Sequence, residues 1–368
     1  MKTKAAVMYE QNKPLVIEEL DLEGPKAGEV LIKYTASGIC HSDYSVVHGV
    51  LFGKKVPMVL GHEGAGIIEE VGAGVTHLKP GDHVIAVLTP SCGVCFMCKE
   101  AKPYMCTQMG KILATGAMLD GTTRFSKGGK PYYHMCAVGT FSERSVIPAG
   151  AAIKIGANAP LETVCLVGCG VTTGVGAAIN TAKVHKGSSV AVIGCGGVGL
   201  SIIQGARING ATTIIAVDPV PEKRALAMQL GATHGVDPFD ADGPIKGVKA
   251  ITGGLGVHYA FEALGRVDTI EQTWQMIRPA GRAIIVGMPD QKSKIKLGMM
   301  GIFGEKRIKG SGYGSSDPKR DVPKFVDWYL SGELKLDQMI TKRIKLEDIN
   351  QAFEEMGRGE GARSVIMY

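Results

Sequence analysis

A glycine-rich segment in the middle of the chain constrains the fold more than any other feature. The segment 194–199 reads G-C-G-G-V-G and so matches the pattern G-x-G-x-x-G. It follows the β-branched run 189–193 and precedes the helix-compatible run 200–207. A strand, a tight glycine turn and a helix in this order are typical of a βαβ unit that binds a dinucleotide. A glycine-rich turn without any ligand is the alternative interpretation. The candidate cofactor-binding residues of this segment are Gly194, Gly196, Gly197, Val198 and Gly199.

Each part of this predicted dinucleotide site has a separate physical task. The first glycine permits the tight turn, the second lets the backbone approach a pyrophosphate, and the third allows close helix–strand packing. Asp218 follows Gly199 by 19 residues, at the end of the next predicted strand. A carboxylate there binds the ribose hydroxyls and repels a 2′-phosphate. We therefore predict NAD rather than NADP, although the nearby Lys223 and Arg224 leave some tolerance for NADP.

Two patterns of predicted strands and helices occupy different parts of the chain and predict two domains. Short strands between Gly- and Pro-bearing turns predict a mostly β domain, and apolar strands alternating with helices predict a parallel sheet. The predicted strands are 29–34 and 83–87 in the first part, and 189–193, 213–217 and 283–287 in the second. We assign 1–170 and 313–368 to the first domain and 171–312 to the second. The segment 121–130, with its glycines and mixed charge, is expected to be an exposed loop.

Composition narrows the class of protein. The chain of 368 residues, 45% of them hydrophobic, is long enough for about two domains. No apolar run approaches the roughly 20 residues that span a bilayer, and the N-terminus lacks the apolar segment of a signal peptide. The nine cysteines are therefore expected to be thiols and metal ligands in a cytoplasmic protein. Because the basic residues behind the net charge of +6 are scattered, we expect neither a nucleic-acid nor a membrane partner.

Four cysteines lie close together in one polar loop. They are Cys92, Cys95, Cys98 and Cys106. Four thiolates at such spacings can fill the tetrahedral shell of a zinc ion at about 2.3 Å and leave no position for a substrate. The cluster therefore predicts a closed, structural zinc site. An iron–sulfur cluster also accepts four thiolates, and buried or disulfide-bonded cysteines are further alternatives.

A second set of potential ligands is dispersed over turn-like breaks of the chain. Cys40, His62, Glu63 and Cys169 each stand beside a glycine or another turn residue. Two cysteines and one histidine form a known catalytic zinc set with a fourth position open to water or substrate. An alcohol bound there loses its proton more readily and can then transfer a hydride to a nicotinamide. A binding protein in which these ligands are only structural is the alternative.

Together these residues resemble the zinc-dependent medium-chain alcohol dehydrogenases over essentially the whole chain. The resemblance rests on both ligand sets and the glycine motif, and the segments 120–125 and 139–142 resemble the branch with longer loops, which contains liver-type and glutathione-dependent formaldehyde dehydrogenases. It implies an α/β protein with a GroES-like, mostly β catalytic domain and a Rossmann, doubly wound coenzyme domain. It also implies two zinc ions per chain, NAD, and a homodimer, with a tetramer as the alternative.

The resemblance further implies individual roles near the catalytic zinc. Cys40, His62 and Cys169 are its ligands, Glu63 is a neighbouring carboxylate that can visit the metal, and Asp43 orients His62. Such a carboxylate fixes the tautomer of the imidazole.

Ser42 matches the hydroxyl that takes the alcohol proton and passes it through the nicotinamide ribose. Ser45 occupies the place where a histidine usually ends this relay. His48 is our candidate for that terminal role. Direct delivery of the proton from the ribose to water, with His48 as a surface residue, is the alternative.

Further cofactor contacts are implied outside the glycine motif. His41 and Arg363 match positions beside the pyrophosphate, and Lys223 matches a lysine near the adenosine ribose. Thr173 and Arg266 are additional cofactor candidates.

The resemblance aligns four apolar residues with the substrate cleft. They are Leu88, Met135, Cys136 and Met288. An apolar cleft favours primary alcohols with a hydrophobic, allylic or aromatic substituent. Relatives that oxidise S-hydroxymethylglutathione carry a basic residue at the place of Gly110, beside Lys111, so this substrate is the alternative. A protein that retains its NAD permanently and reoxidises it with an external acceptor is the third possibility.

Overall fold

The chain divides into two compact units whose boundaries differ slightly from the predicted ones. The structure is a computed structural model and describes residues 1–51, 55–290 and 292–368. The first unit comprises Met1–Cys169, Asp317–Gly332 and Ile340–Tyr368, and the second comprises Gly170–Ser316 and Glu333–Met339. The prediction had placed 313–316 and 333–339 in the first domain. The second of these segments is held in the second unit by Gln204, whose side chain accepts the Lys335 N–H at 2.7 Å and reaches the Met339 sulfur at 3.3 Å.

Strands and helices are numbered in chain order. The strands are β1 Lys2–Met8, β2 Val16–Leu22, β3 Glu29–Gly38, β4 Met58–Val59, β5 Gly64–Val71, β6 His83–Ala86, β7 Phe125–Lys127, β8 Lys130–His134, β9 Arg144–Pro148, β10 Ala152–Lys154, β11 Ser189–Ile193, β12 Thr213–Val217, β13 His234–Val236, β14 Val257–Glu262, β15 Ile277–Ile285, β16 Arg307–Gly310, β17 Ile340–Ile344 and β18 Arg363–Met367. The α-helices are α1 His41–Val47, α2 Phe96–Lys99, α3 Thr107–Thr115, α4 Leu161–Val164, α5 Gly170–Gly176, α6 Gly197–Ile208, α7 Pro221–Leu230, α8 Gly243–Ile251, α9 Val267–Met276, α10 Met299–Phe303, α11 Pro318–Leu330 and α12 Ile349–Gly357.

The first unit is mostly β. Strands β1, β2, β7, β8 and β4 close a barrel, and a mixed sheet runs β10-β6-β5-β3-β18-β17 with β9 also paired to β3. The barrel core contains Val7, Leu20 and Phe125. Strand β18 joins this sheet beside β3, so the C-terminal end of the chain returns to the first unit as the sequence indicated.

The expectation of an exposed loop at 121–130 is only partly right, because 121–122 and 127–130 are exposed but 125–127 and residue 130 belong to strands β7 and β8. Strands β7 and β8 form an antiparallel hairpin in which Lys127 pairs with Lys130 across a turn of two glycines, both with positive φ. Arg124 and Phe125 are buried. The Arg124 guanidinium donates to the carboxylates of Glu29 and Asp120, and these ion pairs allow a charged side chain to sit in the interior.

The second unit contains a six-stranded parallel sheet. Its order is β13-β12-β11-β14-β15-β16, which is the doubly wound order 3-2-1-4-5-6 when the strands are counted within the unit. The predicted strands 189–193 and 213–217 are β11 and β12, and the predicted 283–287 overlaps the end of β15. The predicted Rossmann architecture is therefore confirmed.

No single helix within the described residues is long and apolar enough to cross a membrane. In the part of the chain that the structure describes, one bent pair, Leu161–Gly168 and Gly170–Ala182, meets the length and composition requirements jointly across a break.

Candidate active site

Four potential ligands of the first unit converge although they come from three distant parts of the chain. Cys40 lies between β3 and α1, His62 and Glu63 immediately precede β5, and Cys169 follows the 3₁₀ segment Cys165–Gly168. One ligand atom from each residue lies within 4.8 Å of the others, and all four residues are buried. This convergence supports the predicted dispersed metal set.

Asp43 holds His62 in the orientation that a metal requires. The Nδ1 atom of His62 lies 3.0 Å from Asp43 Oδ1, so the imidazole donates its Nδ1 proton to the carboxylate. The same carboxylate accepts the backbone N–H groups of Gly61 at 3.1 Å and Cys40 at 3.0 Å. This arrangement leaves His62 Nε2 buried without a hydrogen-bond partner. A buried acceptor nitrogen beside two cysteine thiols fits a zinc ion as its missing partner.

The electrostatics of this set also suit a cation. Hydrogen bonding from Cys169, helped by the charge of His62, holds the pKa of the Cys40 thiol well below its usual range. Burial disfavours a charged imidazole, but Asp43 and Cys40 outweigh it and raise the pKa of His62 well above its usual value. These directions favour a Cys40 thiolate beside a protonated His62, and a zinc ion bound there would displace that proton and supply the positive charge.

Arg363 meets Glu63 inside the first unit. The Arg363 guanidinium forms an ion pair with the Glu63 carboxylate, and both side chains are buried. Gly38 permits this approach, because a Cβ at that position would collide with Glu63 Oε2 and lie 3.0 Å from Arg363 Nη2. Arg363 thereby sits at the metal set, and its implied contact with a pyrophosphate stays a prediction.

The four-cysteine lobe has the dimensions of a tetrahedral thiolate site. All four sulfur atoms lie within 4.8 Å of one another, and the Cys95 and Cys106 sulfurs are 3.9 Å apart. Zn–S bonds of about 2.3 Å predict about 3.8 Å between sulfurs, whereas a disulfide requires about 2.05 Å. Backbone N–H groups of Thr107 and Cys98 lower the pKa of Cys95 to about 5, so the sulfur that they contact is readily a thiolate. All nine cysteines of the chain are free thiols.

The two residues of the predicted proton relay, Ser42 on α1 and His48 just after it, lie on different sides of the helix axis. Ser42 is half-buried in the first turn, whereas His48 is exposed just after the helix. Six helical residues correspond to about 9 Å of rise and about 120° of rotation, so the two side chains diverge. The His48 ring stacks on Tyr44 at 3.9 Å and its Nδ1 lies 2.8 Å from the Tyr44 carbonyl oxygen. This placement gives a relay through His48 no support. His41 is exposed on the same helix.

The glycine motif of the second unit forms the turn that the sequence predicts. Gly194 has φ +91°, and a Cβ at Gly199 would collide with the Gly194 carbonyl oxygen. Gly196 precedes α6, and apart from its own chain neighbours no atom of the described residues lies within 4 Å of the place where its Cβ would be. The N-terminus of a helix of 12 residues thus begins beside open space, which fits the pyrophosphate of a dinucleotide.

Asp218 immediately follows β12 and lies next to this turn. Its Oδ2 accepts the Cys195 N–H at 2.8 Å and its Oδ1 accepts the Val220 N–H at 2.9 Å, which orients the carboxylate. Arg224 does not offer a free cation beside it, because its guanidinium donates to the Asp218 carbonyl oxygen at 2.5 Å and to Asp237 at 3.0 Å. The tolerance for NADP that we allowed through Arg224 therefore loses its basis.

The other cofactor candidates of the second unit occupy varied environments. Thr173 lies on α5 beside Gly174, and a Cβ at Gly174 would collide with the Val198 carbonyl oxygen near the start of α6. Lys223 is half-buried in the first turn of α7. Arg266 is largely exposed and pairs with Asp268 at 2.9 Å. Sequence reasoning missed Glu262, a buried carboxylate at the end of β14, although an acidic residue ending an apolar strand was a visible signal.

The candidate pocket residues divide between the units. In the first unit, Met135 and Cys136 are buried and Leu88 is half-buried. Cys136 has a positive φ of 55°, and burial raises the pKa of its thiol to about 12, so it acts as an apolar side chain. The charges of His62, Asp43 and Cys40 all influence this thiol, which places Cys136 near the metal set. Met288 belongs to the second unit and is 61% exposed.

Comparison with known proteins agrees with the class that fold and ligand sets define, a zinc-binding dehydrogenase. Residues 26–157 match the family described as alcohol dehydrogenase GroES-like domain, and residues 197–331 match the family described as zinc-binding dehydrogenase. The chain belongs to the zinc-dependent medium-chain alcohol dehydrogenases, in the branch of the glutathione-dependent formaldehyde dehydrogenases.

Three relatives illustrate the range of this family. The chain is 40% identical to S-(hydroxymethyl)glutathione dehydrogenase of Paracoccus denitrificans, with 100% of both chains covered. It is 43% identical to NDMA-dependent alcohol dehydrogenase of Amycolatopsis methanolica, with 100% of this chain and 99% of the relative covered. The crystal structure of benzyl alcohol dehydrogenase from Acinetobacter calcoaceticus matches with a TM-score of 0.94 and 32% identity, over 100% of this chain and 99% of that one. The chain is an alcohol dehydrogenase and thus an oxidoreductase.

Proposed function

We propose that this alcohol dehydrogenase uses NAD and two zinc ions to interconvert primary alcohols and aldehydes, with hydrophobic, allylic or aromatic alcohols as its substrates. The observation that carries the proposal is the buried, unpartnered Nε2 atom of His62 among Cys40, Glu63 and Cys169. The apolar character of Leu88, Met135 and Cys136 supports the substrate class. The similarity to a benzyl alcohol dehydrogenase agrees with that class.

Cys40, His62 and Cys169 are the proposed ligands of the catalytic zinc. A zinc ion held there supplies Lewis-acid chemistry that lowers the pKa of a coordinated alcohol. Asp43 keeps the imidazole in the tautomer whose Nε2 faces the metal. The Arg363 guanidinium balances the negative charge of the Glu63 carboxylate. Glu63 therefore adds no uncompensated charge to the thiolates and the Asp43 carboxylate of the site. Ser42 is the proposed first acceptor of the alcohol proton, and water rather than His48 is the proposed final acceptor.

NAD is the proposed hydride acceptor. The N-terminus of α6 and the open space beside Gly196 suit its pyrophosphate, and the Asp218 carboxylate suits its adenosine ribose. A 2′-phosphate would meet the negative charge of Asp218, and Arg224 is already engaged by Asp237. These contacts favour NAD over NADP.

The second zinc ion is proposed to bind Cys92, Cys95, Cys98 and Cys106. Its role is structural, because four sulfur ligands leave no place for substrate. The separation of 3.9 Å between two of the sulfurs supports this proposal over a disulfide.

One assay series tests the main proposal. Purified protein with a measured zinc content is given benzyl, allyl and ethyl alcohols and glycerol, each with NAD and with NADP, and reduced nicotinamide is followed by absorbance. We expect two zinc ions per chain, NAD preference, and higher kcat/KM for benzyl and allyl alcohols than for glycerol. NADP preference or equal use of glycerol would overturn the corresponding part of the proposal.

S-hydroxymethylglutathione is a second candidate substrate. Several relatives at 40–42% identity are named S-(hydroxymethyl)glutathione dehydrogenase. Gly110 offers no charge for a glutathione carboxylate, but the adjoining Lys111 is exposed on α3. Formaldehyde with glutathione is therefore added to the alcohol panel. If the adduct is the substrate, Lys111→Ala raises the KM for the adduct and leaves benzyl alcohol oxidation unchanged, whereas Lys102→Ala serves as the matched surface control.

Permanent retention of NAD is the third candidate and follows from the similarity to an NDMA-dependent alcohol dehydrogenase. Protein that has been freed of small molecules by gel filtration is denatured, and the released nucleotide is quantified. About one nucleotide per chain, together with turnover that requires an added electron acceptor, would establish retention. Nucleotide-free protein that reduces added NAD would establish ordinary exchange.

A homodimer is the proposed assembly, with a tetramer as the alternative. Helix α10 exposes four large apolar side chains, and among the described residues the edge strand β16 pairs only with β15. The exposed side chains are Met299, Met300, Ile302 and Phe303. An apolar patch next to an unpaired strand edge is the kind of surface that a second copy covers. Phe303→Glu should yield monomers in light scattering, whereas Phe239→Glu, which changes another exposed phenylalanine, should not.

The proposed compartment is the cytoplasm. Nine free cysteines and two thiolate-rich sites suit a reducing environment.

A further inference from the structure

Glu262 is a buried carboxylate that the reaction outlined above does not use. It ends β14, beside the central strand β11, and its side chain is fully buried. Its carboxylate accepts the backbone N–H of Leu264 at 3.0 Å, the N–H of Gly265 at 2.9 Å, and the hydroxyl of Thr269 at 2.7 Å. A buried charge with so many donors organises the chain around it.

The segment that Glu262 holds touches the turns that follow two other strands. The Leu264 side chain packs against Gly194, where a Cβ would be only 2.7 Å from Leu264 Cδ2. Gly265 faces Met288 so closely that a Cβ there would be 2.5 Å from the Met288 carbonyl oxygen. Gly287 lies against Glu262 itself, since its Cβ would be 2.7 Å from Glu262 Oε2.

These contacts join the turns after β11, β14 and β15 at one edge of the parallel sheet. The backbone carbonyl of Glu262 also accepts the N–H groups of Val286 and Gly287 at 2.9 and 3.0 Å. In a doubly wound sheet of this order, a dinucleotide binds at the carboxyl ends of the strands, in the crevice where the strand order reverses. That crevice lies between β11 and β14, where Glu262 stands.

We propose that Glu262 is a positioning residue for the dinucleotide, because its carboxylate holds the turns after β14 and β15 against the glycine turn. This inference rests on the proposed use of a nicotinamide dinucleotide. Glutamine has the same shape but no charge, and with its carbonyl in the place of Oε1 its amide nitrogen would face the Gly265 N–H, which Oε2 now accepts at 3.0 Å, as a second donor. The turn 263–266 would then lose part of its support, and the crevice would be less well formed before the cofactor binds.

The test measures cofactor binding directly. NADH is titrated into wild-type protein and into Glu262→Gln by nicotinamide fluorescence, with zinc content and thermal unfolding measured on the same samples. We expect the Kd for NADH to rise at least about tenfold in Glu262→Gln, since the hydrogen bonds to Oε1 lose their charge assistance and the Gly265 contact with Oε2 is lost. In turnover, the KM for NAD should rise by a similar factor while kcat at saturating NAD changes less than about threefold.

Two further variants make the result specific. Glu271→Gln changes a half-buried glutamate of α9 that accepts the Lys296 N–H, and it should leave the Kd within about twofold of wild type. Thr269→Val removes only one donor to Glu262 and should give an intermediate loss of affinity, which keeps the proposal testable if Glu262→Gln does not fold. The inference is overturned if folded Glu262→Gln binds NADH as wild-type protein does. If Glu262→Gln cannot be made, an unchanged Kd for NADH in Thr269→Val overturns it. Wild-type protein that binds no nicotinamide dinucleotide would instead overturn the proposed function.

Discussion

The replacement of Asp43 by asparagine tests the catalytic metal site most directly. Asp43 Oδ1 accepts hydrogen bonds from His62 Nδ1 and the Gly61 N–H, and Oδ2 accepts the Cys40 N–H. If the asparagine carbonyl takes the place of Oδ1, its amide nitrogen faces the Cys40 N–H as a second donor. The variant therefore loses one hydrogen bond to a buried charge and the negative charge that supports His62, while the volume of the side chain stays the same.

The magnitude follows from these contacts. A hydrogen bond to a charged group contributes about 1.5–3 kcal/mol, which corresponds to about 10- to 150-fold in an equilibrium constant. Loss of a carboxylate behind a metal-bound histidine typically lowers metal affinity or activity about 10- to 100-fold. We expect Asp43→Asn to weaken the catalytic zinc site within this range and to lower kcat/KM by a comparable factor.

Competition with a chromophoric zinc chelator measures the effect. One zinc ion per chain should be released faster from Asp43→Asn, and the second, in the four-cysteine lobe, serves as an internal reference. Asp82→Asn is the matched control, because Asp82 is also buried in the first unit but accepts the Lys79 N–H and pairs with Lys154. Release of both zinc ions at wild-type rates from folded Asp43→Asn would refute the proposed role of this carboxylate.

Three further predictions follow from the same geometry. Cys98→Ser should lower both the zinc content and the Tm, whereas Cys169→Ser should abolish turnover with a smaller change in Tm; equal changes in Tm would contradict the division into structural and catalytic sites. Asp218→Gly should lower kcat/KM with NAD and raise the ratio of NADP to NAD use, and an unchanged ratio would remove Asp218 from cofactor selection. Ser42→Ala should lower turnover about 10²- to 10⁴-fold, while His48→Ala should leave the pH–rate profile unchanged; a profile altered only near neutral pH would restore His48 to the relay.

Features encoded by short stretches of sequence could be predicted without a structure. The turn at Gly194 needs only neighbouring residues, because a positive φ and close helix–strand packing are local properties. The spacing of Cys92, Cys95 and Cys98 likewise specifies a lobe that can close round one ion. Apolar strands between helices predicted the parallel sheet for the same local reason.

Long-range contacts could not be predicted in this way. Residue type and turn-like breaks made Cys40, His62 and Cys169 candidates, but no periodicity joins residues so far apart, so only the fold shows that they converge. Arg124 looked like part of a charged loop, and only the fold supplies the Glu29 carboxylate that lets it be buried.

The sequence by itself determined the glycine turn, the four-cysteine lobe and the class of fold, because each depends on residues close together in the chain. Tertiary structure decided which charges meet. Arg363 and Glu63 are separated by 300 residues, and their contact exists only because β18 pairs with β3. Glu262 holds the turns at the sheet edge because parallel strands bring their carboxyl ends together. Burial makes both carboxylates depend on their partners, and burial is a property of the folded chain alone.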